Sequence, residues 1–123
     1  MTNEPVNHVD WSIPFGFDQA RLVTSPTRWL VCSGQTSIAP DGSVAHAGDM
    51  GAQIDAALAS LTELVAAAGM TLDDVVRITA YVTDVDAFLR ARRTMPRCAY
   101  TLIGVSRLAY PDLLVELEAI AAR

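Results

Sequence analysis

The feature that most constrains the fold is a run of apolar residues at helical spacing in the middle of the chain. Met50, Ile54, Ala57, Leu58, Leu61, Leu64, Val65 and Ala68 recur at intervals of three and four, which puts them along one face of an α-helix. Asp49 can cap its start by accepting a backbone N–H, and Gly69 can take the left-handed conformation that ends it. The helix implied is about 19 residues and ~28 Å long at ~1.5 Å per residue. A helix with one apolar stripe must bury that stripe against another layer. The flanking sequence supplies the strands.

Asp18 to Thr24 alternates loosely and reads as a strand, Ser25-Pro26-Thr27-Arg28 as a turn, and Trp29 to Ser33 as a second strand. The second is apolar on both faces and is expected to be buried on both, and the two strands are expected to form a hairpin. The residues before Phe15, with Pro5 and Pro14, read as an irregular lead-in or a short edge strand. Beyond the helix, Thr71 to Asp74 is a turn with its own capping potential. Val75 to Val82 is rich in β-branched residues and alternates, as a strand does. Asp84 caps a second helix from Val85 to about Thr94, which Pro96 stops. Tyr100 to Val105 is a strand, Leu108 to Asp112 a loop and Leu113 to Ile120 the last strand. In that strand Leu113, Val115, Leu117 and Ala119 face one way, and Leu114, Glu116, Glu118 and Ile120 the other.

The element order is ββαβαββ. It predicts one α+β domain over residues 1–123, with two layers: a mixed, mostly antiparallel sheet and two helices on one of its faces. The uncovered face carries Leu114, Ile120 and Tyr81 beside Glu116 and Glu118, which is too apolar for free solvation. A charged fraction of 19%, below the usual ~25%, points the same way. We expect a second copy of the chain to cover this face.

A net charge of −5 argues against nucleic-acid binding, which draws its affinity from cations set against phosphates. The one dense basic cluster is Arg90, Arg92, Arg93 and Arg97, and a solvated helix face explains it most simply. Cys32 lies in an apolar run and reads as a small buried hydrophobe, and nothing requires a disulfide with Cys98. The N-terminus has no signal-peptide pattern and no apolar run approaches the ~20 residues that span a bilayer, so a cytoplasmic protein without a membrane partner is expected. His8 and His46 form no ligand pattern, and no metal site is assigned.

Four blocks, in order and in register over nearly the whole chain, resemble the Rid family (YjgF/YER057c/UK114). They are Phe17-Asp18-Gln19-Ala20, Ser33-Gly34-Gln35 followed by the Asp41-Gly42 turn, the stretch from Ala56 to Gly69 leading into Asp73 to Val85, and Val115 to Ala121. The resemblance implies a chorismate-mutase-like fold and a homotrimer with three inter-subunit clefts for a small 2-oxo or 2-imino acid-like ligand. It also implies hydrolysis of imines and enamines, such as 2-iminopropanoate, to 2-oxo acids and ammonia, with no cofactor. Some members are labelled endoribonucleases or translation inhibitors.

Glu116 matches the family's site carboxylate and is the candidate catalytic residue, since a carboxylate can orient or deprotonate the attacking water. A solvated strand charge is the plain alternative, and Glu118 on the same face is a weaker candidate. Ser33 and Gly34 match the strand end that meets the ligand, where glycine permits close backbone approach. Their alternative is an ordinary tight turn, and Gln35 could serve in the same loop. Aligning Val105-Ser106-Arg107-Leu108 with the family's pattern puts Tyr100 where deaminating members carry the arginine that clamps the substrate carboxylate. Phe17 takes the place of the cleft tyrosine, Arg92 that of an asparagine, and the segment before the fifth strand is shorter. Phe17, Tyr100 and Arg107 are therefore candidate substrate contacts, with core filler, interface aromatic and ion pair as their alternatives. The lost clamp implies weak or absent 2-imino acid deaminase activity, unless Arg92, Arg93, Arg97 or Arg107 replaces it. The remaining readings are a non-catalytic metabolite-binding trimer and a specialised pathway enzyme on the same fold.

Overall fold

The computed structural model describes all residues 1–123. Helix α1 runs Met50–Ala67. Asp49 accepts a hydrogen bond from the Ala52 backbone N–H at 3.0 Å, and Gly69 takes a positive φ of 73° just beyond the last turn. Its buried face is Met50, Gln53, Ile54, Ala57, Leu61 and Val65, the stripe expected from the spacing, with one amide added.

That stripe packs on a four-stranded sheet in the order β3-β6-β4-β5, formed by β3 (Trp29–Val31), β4 (Val75–Val82), β5 (Ala99–Gly104) and β6 (Val115–Ala122). β4 is antiparallel to β6 and parallel to β5, so the sheet is mixed. Ile78, Ala80 and Val82 of β4 and Val115, Leu117, Ala119 and Ala121 of β6 point to the helices and are buried. Helix α2 (Val85–Ala91) links β4 to β5 and lies beside α1. This is the two-layer α+β architecture, with a core between α1 and the sheet.

The proline-bearing lead-in takes the second of its two expected forms, a short strand: β1 (Thr2–Val6) pairs antiparallel with β2 (Ala20–Thr24) as a separate two-stranded ribbon. Three local expectations change. The expected hairpin of β2 with β3 does not form, because the intervening turn is claimed by the far end of the chain. Thr27 and Arg28 both donate their N–H to the Arg123 carbonyl, at 2.9 and 2.8 Å, and β3 pairs with β6. Second, β3 is covered on one face only. Leu30 and Cys32 meet the helix side, while Trp29 and Val31 are 57% and 76% exposed, because β3 is an edge strand and no layer lies over its other face. Third, α2 stops at Ala91, short of Thr94, because Arg92 takes a left-handed conformation with φ 50°, an ordinary way for a helix to end.

Candidate functional site

The expected site residues fall into two groups on opposite faces of the sheet. On the open face, Glu116 lies beside Tyr81, and Glu118 beside Thr79. The two carboxylates share a face but not a role. The Tyr81 hydroxyl donates to Glu118 at 2.5 Å, and this bond, with burial, raises the phenol above its ordinary range. Glu116 carries no such bond. Its carboxylate rests against Gly34, where an added Cβ would lie 1.7 Å from Glu116 Oε1. Gly34 is therefore glycine for space rather than for backbone freedom.

Gly34 is held there by its neighbour. Gln35 exchanges backbone hydrogen bonds with Leu117, at 2.7 and 3.0 Å, so the loop after β3 continues alongside β6. The Gln35 side chain donates to the Ser33 carbonyl at 2.9 Å and accepts from Ser60 of α1 at 2.7 Å. Gln35 is thus a brace between loop and helix. The Ser33 side chain is exposed beside it.

The second group lies on the helix side, where Tyr100 of β5 neighbours Ile78. Trp11, Phe17 and Tyr100 pack in series: the first pair meets edge to face at 5.7 Å between ring centroids, the second is tilted at 6.0 Å. With Phe15, Phe88 and Arg92 they line a cleft of about 890 Å³ between the lead-in, α2 and β5. Burial pushes the Tyr100 phenol well above its ordinary range, so it is a protonated donor at neutral pH. Burial likewise pushes the neighbouring Cys98 thiol up to about 11, which removes its nucleophilic form. No three His, Cys, Asp or Glu side chains gather where they could hold a metal.

The arginines that could replace the missing clamp separate cleanly. Arg97 pairs with Asp18 at 2.8 Å. Arg93 pairs with Asp55 at 2.8 Å and caps the Ala91 carbonyl, in space left by Gly51, where a Cβ would meet its guanidinium at 2.6 Å. Arg107 lies outside the cleft and folds back on the Leu108 and Ala109 carbonyls of its own loop. Arg92 and Arg93 both line the cleft, but the chain's three ion pairs engage Arg21, Arg93 and Arg97, so Arg92 is the cleft's cation without a carboxylate partner.

Residues 19–123 match the sequence model of the family described as endoribonuclease L-PSP. The chain belongs to the Rid (YjgF/UK114) family. Among Rid relatives, a 2-iminobutanoate/2-iminopropanoate deaminase of Salmonella typhimurium is 32% identical over 104 residues, covering 76% of this chain and 79% of that protein. A RutC family protein of Pyrococcus horikoshii is 31% identical over 99 residues, covering 76% and 78%. The crystal structure of a Rid protein of unknown function from Yersinia pestis superposes over 100% of both chains, with a TM-score of 0.83 and 32% identity. The YjgF gene product of E. coli has a TM-score of 0.69 at 28% identity, over 86% of this chain and 87% of that one.

Two structural residues escaped the reading of the sequence. Asp18 is buried and bound by Arg97, Asn7 and Arg21, at 2.8, 3.0 and 2.8 Å; these bonds, led by that from Arg97, hold its carboxyl well below the usual carboxylate range. Gln53 is buried on the apolar stripe of α1. It donates to the His46 and Asp112 carbonyls at 3.2 and 2.9 Å and accepts from the Leu114 N–H at 2.8 Å. The available signal was a lone amide inside an apolar helical face, which requires buried partners.

Proposed function

We propose that this Rid domain hydrolyses an imine, enamine or related carbonyl derivative in a cleft shared between copies of the chain, and acts weakly on small 2-imino acids. The observation that carries the reading is Glu116: a half-buried carboxylate, free of side-chain donors, packed on a glycine in the loop that follows β3. In that position it can take a proton from water as the water oxygen bonds to the imine carbon. The imine nitrogen is protonated, the C–N bond breaks, and a carbonyl compound and ammonia leave. Ser33 and Gly34 border the same spot. No cofactor is needed, because each step moves only protons and one electron pair.

Glu116 and the Phe17–Tyr100 cleft lie on opposite faces of one sheet, so one chain holds two half-sites. Joining them takes a second copy, and the family resemblance makes that assembly a homotrimer with inter-subunit clefts. Arg107 joins the ligand in this reading only if assembly draws its loop inward. The family's endoribonuclease label has the net charge of −5 against it, as well as the commitment of Arg93 and Arg97 to carboxylates.

The weak action on 2-imino acids follows from Tyr100. A neutral phenol in place of a bidentate guanidinium forgoes about 3 kcal/mol of carboxylate binding, or roughly two orders of magnitude in kcat/KM. The test is ammonia release from enzymatically generated imines. Glu116→Gln is expected to lower kcat by about a hundredfold or more while the assembly keeps its mass. Unchanged turnover in this near-isosteric variant reassigns Glu116 to structure. Absence of turnover by the native chain on every imine leaves a metabolite-binding protein.

A further inference from the structure

Three buried polar side-chain atoms have no hydrogen-bond partner within the chain: Ser12 Oγ, Gln19 Nε2 and Tyr100 Oη. Ser12 and Gln19 flank Phe17 in sequence, and Tyr100 packs on the Phe17 ring. Buried polar atoms are nearly always paired, so an orphan hydroxyl on a residue that lines a cleft marks a place where another molecule supplies the missing partner. Of the three, Tyr100 lines the cleft itself. The cleft's walls are largely aromatic: Trp11, Phe15, Phe17 and Phe88 line it with Tyr100. The cleft also holds an uncommitted cation. Arg92 reaches it from the end of α2, where its left-handed φ of 50° closes the helix.

We propose that this cleft selects a flat, aromatic or conjugated carbonyl or imine compound bearing one anionic group. Its ring lies against Phe17 and Tyr100, its carbonyl oxygen or imine nitrogen accepts from the Tyr100 hydroxyl, and its anion pairs with Arg92 at the rim. This assignment rests on the cleft being one half of the proposed site, and names the substrate class for it. Ring stacking at offset or tilted geometry suits walls already arranged that way. An anion entering an apolar cleft requires a partner, and guanidinium matches a carboxylate with two parallel bonds. A small 2-oxo or 2-imino acid would leave the aromatic walls uncovered, so pairing with Arg92 alone does not restore for it the clamp missing at Tyr100.

The test is calorimetric binding of phenylpyruvate, pyruvate and phenylacetone to the assembled native protein, to Arg92→Gln and to Tyr100→Phe. Phenylpyruvate carries both ring and carboxylate, and each of the others lacks one. Phenylpyruvate is expected to bind at least about tenfold more tightly than either. Arg92→Gln should bring it to the level of phenylacetone, whose own binding stays unchanged. Tyr100→Phe should weaken both aryl ketones by about fivefold, the loss of one hydrogen bond. Should Arg92→Gln fail to assemble, the comparison of phenylpyruvate with phenylacetone on the native protein decides the role of the anion. Pyruvate binding as tightly as phenylpyruvate, no binding of any aryl ketone, or an unaffected Arg92→Gln would overturn the assignment. None of these measurements needs turnover. A protein that hydrolyses imines but fails here loses only the substrate class, and one that binds as stated without turnover loses only the hydrolytic reading.

Discussion

Gly34 shows how a missing side chain can be as specific as a present one. A methyl group there would lie 1.7 Å from Glu116 Oε1 and 2.6 Å from its Cγ. The obstacle is the far end of a flexible side chain, so an alanine is accommodated by swinging the carboxylate away. The cost should therefore fall on function rather than on folding. We expect Gly34→Ala to keep Tm within a few degrees while kcat/KM drops by about a hundredfold, the scale of a ~1 Å misplacement of a reacting group. Thermal melts and imine turnover on one preparation check this. A Gly34→Ala protein with native turnover means that the Glu116 carboxylate does not work from the position it holds against Gly34.

At the scale of elements, the β1–β2 ribbon hangs on one buried carboxylate. The Asp18 backbone N–H donates to the Cys98 carbonyl at 3.0 Å, and its side chain gathers Arg97, Asn7 and Arg21. The same Asn7 accepts from the Gln19 N–H at 2.7 Å. Ribbon, β5 and the segment before it are thereby tied at a point, and the aromatic cleft is built on that junction. The folded-state pKa of Asp18 is depressed, so its contribution to stability is present above the unfolded value of about 3.9 and is lost as pH falls below it. Tm should accordingly drop on acidification below about pH 4. Asp18→Asn should lower stability at neutral pH by about 2 kcal/mol, the worth of hydrogen bonds to a charged group, and should flatten the acid limb of the profile. Differential scanning calorimetry from neutral pH to about pH 3 tests both, and an unchanged acid limb in Asp18→Asn excludes Asp18 as the titrating anchor.

For the whole molecule, the open face of the sheet decides what the protein is in solution. Trp29 and Val31 stand out from it at 57% and 76% exposure, on an edge strand beside Ile120 of β6. Burying such a face is worth about 25 cal/mol per Å², and we expect a second copy of the chain to supply the matching surface. Light scattering after gel filtration should give three times the 13.2 kDa chain mass. Val31→Glu sets a charge in the middle of that face and should leave monomers of 13.2 kDa that have lost turnover, since each retains only half-sites. A native monomer at micromolar concentration removes both the interface and the shared cleft.

Local order was written plainly in the residues. The spacing of Ile54, Ala57, Leu61 and Val65 with Asp49 and Gly69 at its ends defines α1, because each signal acts within a few residues of chain. The alternation of Val115 to Ala121 likewise separates core from open face, and it put Glu116 and Glu118 on the same side. What distinguishes those two carboxylates is distant in sequence: Tyr81 engages one, and Gly34 makes room for the other. The same holds for the edge that β3 joins, the early end of α2 and the burial of Asp18. Periodicity reports which face of an element is apolar, and that is a short-range property. Which partner covers that face, and which charge is left unpaired, depends on contacts between segments far apart in the chain, and only the tertiary structure chooses among them.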